Sequence, residues 1–314
     1  MSSTVSYRLV RSGFLVAVRL LAAMAAFAPA KAADAPICRE LERKFDLLKS
    51  DIASTQLSLL LFAAADSGCV PLSRRLLGAG ASLEARDRLG AMPLARAARA
   101  GHVALIELFL KQGAAIDARN LVGATALYAA AENERQASVA LLLATGADPN
   151  LPGRSGLTPL AAAAFKGNDR IVAELIARKA DADVADTTGK TAMIYAAARG
   201  FAPVVRRLID AGVDVKRPYG NDLTALMWAA GHEDGVGARA ALDVTAQLLD
   251  AGAPIDAADN RGRTALMIAA ELGRPAIVEA LLARGADRAI VDKGGKRAAD
   301  LAADAGMRET LSVR

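Results

Sequence analysis

The sequence predicts an all-α repeat solenoid built from helix–turn–helix units, each followed by a hairpin loop. Three observations carry this. A phrase, Gly123-Ala124-Thr125-Ala126-Leu127-Tyr128-Ala129-Ala130, returns as Gly156-Leu157-Thr158-Pro159-Leu160, Gly189-Lys190-Thr191-Ala192-Met193 and Gly262-Arg263-Thr264-Ala265-Leu266. Gly90, Gly123, Gly156 and Gly189 are each 33 residues apart. Seven units also end on an apolar pair: Leu76-Leu77, Phe109-Leu110, Leu142-Leu143, Leu175-Ile176, Leu208-Ile209, Leu248-Leu249 and Leu281-Leu282.

Each part of the unit has a physical reading. The Thr oxygen caps a first helix by accepting from an N–H that the helix leaves unpaired. Pro159, or Ala in other units, suits the first helical turn, where a missing N–H is harmless. The Leu and the Ala-Ala pair face inward, and small side chains let neighbouring helices approach closely. A glycine (Gly68, Gly101, Gly167, Gly200, Gly273) stops the first helix because it accepts positive φ. A second helix carries the apolar pair, and Gly-Ala-Asp (Gly146-Ala147-Asp148, Gly285-Ala286-Asp287) turns the chain out into a hairpin.

In chain order, residues 1–32 read as a cleavable secretory signal. Arg8, Arg11 and Arg19 precede or border the apolar run Leu20 to Ala28, and small-x-small cleavage boxes follow it. The run is short against the roughly 20 residues of a bilayer span; the alternative is an uncleaved inner-membrane anchor facing the periplasm. Residues 33–53 predict an amphipathic capping helix with Ile37, Leu41, Phe45 and Leu48 at helical spacing. Repeats are expected at 54–86, 87–119, 120–152, 153–185, 186–218, 219–258 and 259–291, with a shortened, polar-ended last unit at 292–314. The first repeat is divergent, with Leu59 where the capping Thr would fall. In the sixth, Thr224 to Thr264 spans 40 residues instead of 33, which places an insertion between its helices around Gly231 to Gly237. Cys38 and Cys69 are the two cysteines of a chain expected in an oxidising compartment, and a bridge between them would pin the capping helix to repeat one. The alternative is two small apolar thiols.

The helix–turn–helix plus hairpin at this period resembles the ankyrin-repeat family from about Ser54 to the C-terminus. Met92 in place of the capping Thr, Lys179 in place of a helix-ending Gly and Asp222 in place of the hairpin Gly are departures within a consistent frame. The resemblance implies partner binding through the hairpin tips and the exposed face of the first helices.

The charge excludes one class of partner. The formal net charge of +5 belongs largely to residues 1–32, which hold four basic residues and no acid; the remainder has 35 basic against 34 acidic residues. Nucleic acid is therefore not an expected partner, nor is a membrane once the leader is removed. No phosphate loop, dinucleotide fingerprint or nucleophile elbow occurs in the sequence. Asp87, Asp186, Asp259 and Asp292 recur with the repeat and read as turn residues bonding their own backbone. His102 reads as structural. The sequence thus predicts a non-enzymatic module without cofactor that binds proteins. Candidate contacts are Leu89, Leu121, Val122, Leu157, Tyr219 and Leu223 on the tips, and Phe165 and Arg199 on the helix face. The tip residues either form a shared patch or lean on neighbouring hairpins; Tyr195 and Trp228 are expected to pack against the next repeat. The rival is a small-molecule or cation sensor using His232, Glu233 and Asp234 of the insertion, although three adjacent residues seldom make a closed metal site.

Overall fold

A computed structural model describes residues 35–48 and 52–312. The signal-peptide reading of 1–32 lies outside the described residues. The helices are α1 Pro36–Leu48, α2 Ser54–Ser67, α3 Val70–Gly78, α4 Pro93–Ala100, α5 Val103–Lys111, α6 Ala126–Glu132, α7 Gln136–Ala144, α8 Pro159–Lys166, α9 Asp169–Ala177, α10 Ala192–Ala198, α11 Ala202–Asp210, α12 Ala225–Ala230, α13 Ala238–Asp250, α14 Ala265–Glu271, α15 Pro275–Ala283, α16 Ala298–Leu301 and α17 Ala305–Ser312. The first helices of successive units (α2, α4, α6, α8, α10, α12, α14, α16) stack as one row; the second helices (α3 through α15) form the other. The architecture is an all-α repeat solenoid. Among the described residues the hairpins are turns without named strands, apart from an isolated antiparallel bridge between Tyr219 and Leu223. No helix among the described residues is long and apolar enough to cross a membrane.

The rows stack because the residues between them are small. Ala97-Ala98, Ala130-Ala131, Ala163-Ala164, Ala196-Ala197, Ala229-Ala230 and Ala269-Ala270 are buried throughout. In every apolar pair the first member (Leu76, Phe109, Leu142, Leu175, Leu208, Leu248, Leu281) is fully buried. Most second members are only partly buried against the same core. The cap works as the sequence implies at Thr125, Thr158, Thr224 and Thr264, whose hydroxyls accept from the backbone N–H three residues on. Thr191 does not cap its helix. Its hydroxyl lies beside the Tyr219 phenol of the next unit instead.

Three details differ from the sequence reading. On α1 the buried stripe is Cys38, Leu41 and Phe45, while Ile37 and Leu48 are exposed. Leu41 and Phe45 are buried as expected, and Cys38 replaces Ile37 beside them because the Cys38–Cys69 disulfide, whose Cα atoms are 5.5 Å apart, turns the Cys38 face inward. Leu59 is not a cap position: α2 starts five residues earlier at Ser54, and Gln56 caps the Ala53 N–H at 3.3 Å. The insertion of repeat six is shared between loop and helix. The loop runs over 231–237, and α13 has 13 residues where its counterpart α11 has 9. The added turn reaches back to α10, where Val236 and Ala240 close over Gly200.

Candidate partner-binding surface

The tips are ordered because each is bonded to itself and to a neighbouring tip. Asp87, Asn120, Asp186, Asp259 and Asp292 each use one carboxylate or amide oxygen to accept two backbone N–H groups, two and four residues on. These are Asx turns. In three of them the bonds hold the acid below the usual carboxylate range: at Asp186 burial acts to raise the pKa, and the bonds from Tyr195, Thr188 and Lys190 outweigh it. The same balance lowers Asp87 and Asp259. Single backbone bonds then join consecutive tips: Leu121 N–H to Leu89 O (3.0 Å), Thr187 to Ser155 (2.9 Å), Asn260 to Asn221 (3.0 Å) and Lys293 to Arg261 (2.9 Å). Arg86 and Arg119 add a second stitch, their guanidiniums donating to the Arg119 and Pro152 carbonyls of the next unit at 2.9 and 3.0 Å.

Of the sequence-predicted tip residues, Leu89 (64% exposed), Leu121 (76%) and Val122 (45%) stand out into solvent. Leu121 lies over Gly90 of the preceding tip, so the three are contiguous across repeats two and three. Leu157, Tyr219 and Leu223 are half-buried and lean on the core. Behind the exposed tips lies a recess of about 240 Å³ whose lining includes Leu89, Val122, Arg96, Arg99, Tyr128 and Arg154. The Tyr128 ring forms its wall, seated against Gly153, where a Cβ would collide with it. Burial, and then the neighbouring Glu132 carboxylate, raise the Tyr128 pKa.

Further along the first-helix face, Phe165 is half-buried. Its ring meets Tyr195 edge-on with centroids 5.5 Å apart, and the Arg199 guanidinium lies 4.3 Å above it. Arg199 also pairs with Glu233 at 2.9 Å, so it joins repeats four, five and six. Tyr195 donates its hydroxyl to Asp186; burial and that bond push the phenol up to about 12. Lys190 Nζ sits 5.0 Å from the Trp228 ring and 5.7 Å from Tyr195. Tyr195 and Trp228 are partly buried and packed against the core, with the Lys190 ammonium over both rings.

The three residues of the insertion do not converge. His232 is buried, its Nδ1 3.2 Å from the Glu233 carbonyl. Glu233 turns to Arg199, and Asp234 turns the other way to Arg274 at 2.8 Å. The Glu233 N–H bonds the Ala198 carbonyl, which ties the loop to repeat five. No group of three or more metal-ligating side chains gathers among the described residues. His102 is structural: its Nε2 is 2.9 Å from the Asp66 carbonyl, and its ring covers Gly68 of the preceding unit.

The sequence reading passed over Lys190, Arg154 and the Arg86/Arg119 stitch. The stitch was findable, since Arg86 and Arg119 are themselves 33 residues apart. Lys190 was not, because its role depends on two rings from different repeats.

The family model for ankyrin repeats (3 copies) matches the chain three times, over residues 60–153, 159–238 and 238–313. No curated protein matches the chain. The matched segments cover most of the sequence and run through the stacked units described above, and the chain belongs to the ankyrin-repeat family.

Proposed function

We propose that this chain is a non-enzymatic protein-binding module that acts in the periplasm after removal of residues 1–32. Ankyrin repeats generally mediate protein–protein interaction, and the exposed apolar run Leu89, Leu121 and Val122 at the rim of the recess is the observation that carries the reading here. Contiguous exposed apolar surface beside a concave, partly polar pocket marks an interaction site. The stitched tips supply the mechanism: they are ordered before the partner arrives, so association loses less conformational entropy. The Cys38–Cys69 bridge supports export, since such bonds persist in oxidising compartments. The sensor reading of the repeat-six loop draws less support, because Glu233 and Asp234 are each engaged by a different arginine.

Chemical cross-linking in cells, followed by mass spectrometry of what the exported chain captures, tests this. The wild type is expected to capture a defined protein that a Leu89→Asp, Leu121→Asp, Val122→Asp variant loses at unchanged thermal stability. Capture indifferent to those changes, or none, contradicts the proposal.

A further inference from the structure

We infer that the first-helix face of repeats four to six takes an extended segment of the partner protein that carries carboxylates. The inference rests on the protein-binding reading above and names the chemistry of what is bound. Arginines flanking this stretch are already neutralised within the chain. Arg96 pairs with Asp66 and Asp87, Arg199 with Glu233, and Arg263 with Glu271. Between them, Arg154, Lys166 and Lys190 form no ion pair with any described carboxylate.

Lys190 is held by two ring faces, Trp228 and Tyr195, and Lys166 lies 6.0 Å over Phe165. A ring face attracts an ammonium without discharging it. Asp186 forms no ion pair with Lys190; its oxygens accept from Tyr195, Thr188 and the Lys190 backbone N–H instead. An incoming carboxylate gains a charge-assisted bond to each lysine, and the exposed parts of Trp228 and Tyr195 give apolar neighbours of that carboxylate a surface to lie on.

The spacing constrains the segment. Lys166 ends the first helix of one unit, and Lys190 precedes the first helix of the next. Adjacent helices lie about 8–10 Å apart, and the two lysines sit at opposite ends of helices roughly 12 Å long. They are therefore about 15 Å apart, and an extended chain advances about 3.3 Å per residue. Two acidic residues about three to five positions apart in the bound segment therefore meet both lysines. A nucleic acid fits less well: three cations interspersed with the paired Arg96, Arg199 and Arg263 form no continuous track for a phosphate backbone.

Trp228 is the single tryptophan of the chain, so its emission reports this face directly. The test selects from a displayed library of random twelve-residue peptides on the full-length protein. It then titrates the enriched peptides, and separately a thymidine oligonucleotide, against Trp228 fluorescence. The expected pool is rich in Asp and Glu at the stated spacing. Its peptides shift Trp228 emission saturably, and Lys166→Gln with Lys190→Gln weakens them about tenfold or more. A pool without acidic excess, an acidic pool whose binding survives the double substitution, or an oligonucleotide that outcompetes the peptides overturns the inference. In-cell capture that persists in the Lys166→Gln, Lys190→Gln variant overturns it while leaving the protein-binding reading intact; loss of all capture in the wild type ends that reading instead.

Discussion

Three side chains stand where the other units place glycine, among them Asp222 (φ 61°) at a hairpin. Glu134 has φ 58° at the junction between helices, and Lys179 has φ 62° after a second helix, where Gly80, Gly113, Gly146, Gly212, Gly252 and Gly285 sit elsewhere. An L-residue in the left-handed region costs about 1–2 kcal/mol, and glycine gives back about 0.4–1 kcal/mol through the freer unfolded chain. Lys179→Gly is therefore expected to stabilise the fold by about 0.5–1 kcal/mol, read as a higher midpoint in urea; a lower midpoint contradicts this account of the strain. The turn aspartates set the response to acid. The folded pKa values of Asp87, Asp186 and Asp259 are lowered from 3.8, so the stability they add is present above that value and is lost as pH falls through the lower folded values. The unfolding midpoint is expected to change little between about pH 7 and 5 and to drop below about pH 4. Asp259→Ala strands two backbone N–H groups and is expected to cost about 1–3 kcal/mol, whereas Asp259→Asn costs less; Asn120 already closes the same turn in repeat three. A pH-independent midpoint, or equal losses from Ala and Asn, would contradict the turn assignment. At this scale the sequence was legible wherever a role repeats: the Thr caps, the Asx turns and the Lys179 and Asp222 departures all follow from register. It was silent on Thr191, whose buried hydroxyl leaves its helix uncapped, because the Tyr219 side chain beside it belongs to another unit.

Among the elements, α1 depends on a covalent bond to the junction between α2 and α3. The Cys38–Cys69 bridge closes a separation of 31 residues, which in the chain-entropy model contributes about 3–4 kcal/mol. Replacing both cysteines by serine is expected to fray α1 first. Amides of Pro36–Leu48 would lose hydrogen-exchange protection while α6 to α14 keep theirs, because each unit rests mainly on its neighbours. Uniform loss of protection along the chain would contradict that picture. The pairing of the cysteines was readable from compartment and count, but the face of α1 that they bury was not: the apolar periodicity fits Ile37 and Leu48 as well as the observed stripe, and the bridge decides between them. The insertion was likewise placed correctly in the sequence without its division into loop and helix. Local spacing counts residues but does not show that Val236 and Ala240 find a hollow above Gly200.

For the whole molecule, stacking fixes a row of tips and a first-helix face whose two ends differ. Repeats two and three offer an exposed apolar rim at Leu89, Leu121 and Val122, and repeats four to six offer rings with unpaired ammonium groups. The sequence identified the rim residues and the fold that carries them. It did not separate Leu121, which stands free, from Leu157, Tyr219 and Leu223, which lean inward, because exposure at a tip depends on the side chain of the adjacent tip. Site-specific photo-cross-linking tests the account most directly. A photoreactive residue is placed at Leu121 on the rim and, separately, at Arg206 on the opposite row of second helices, in the full-length protein. The account predicts a single discrete cross-linked protein from position 121 and none from position 206. Equal labelling from both positions, or labelling from 206 alone, would contradict the claim that this solenoid binds its partner through the tips and the first-helix face.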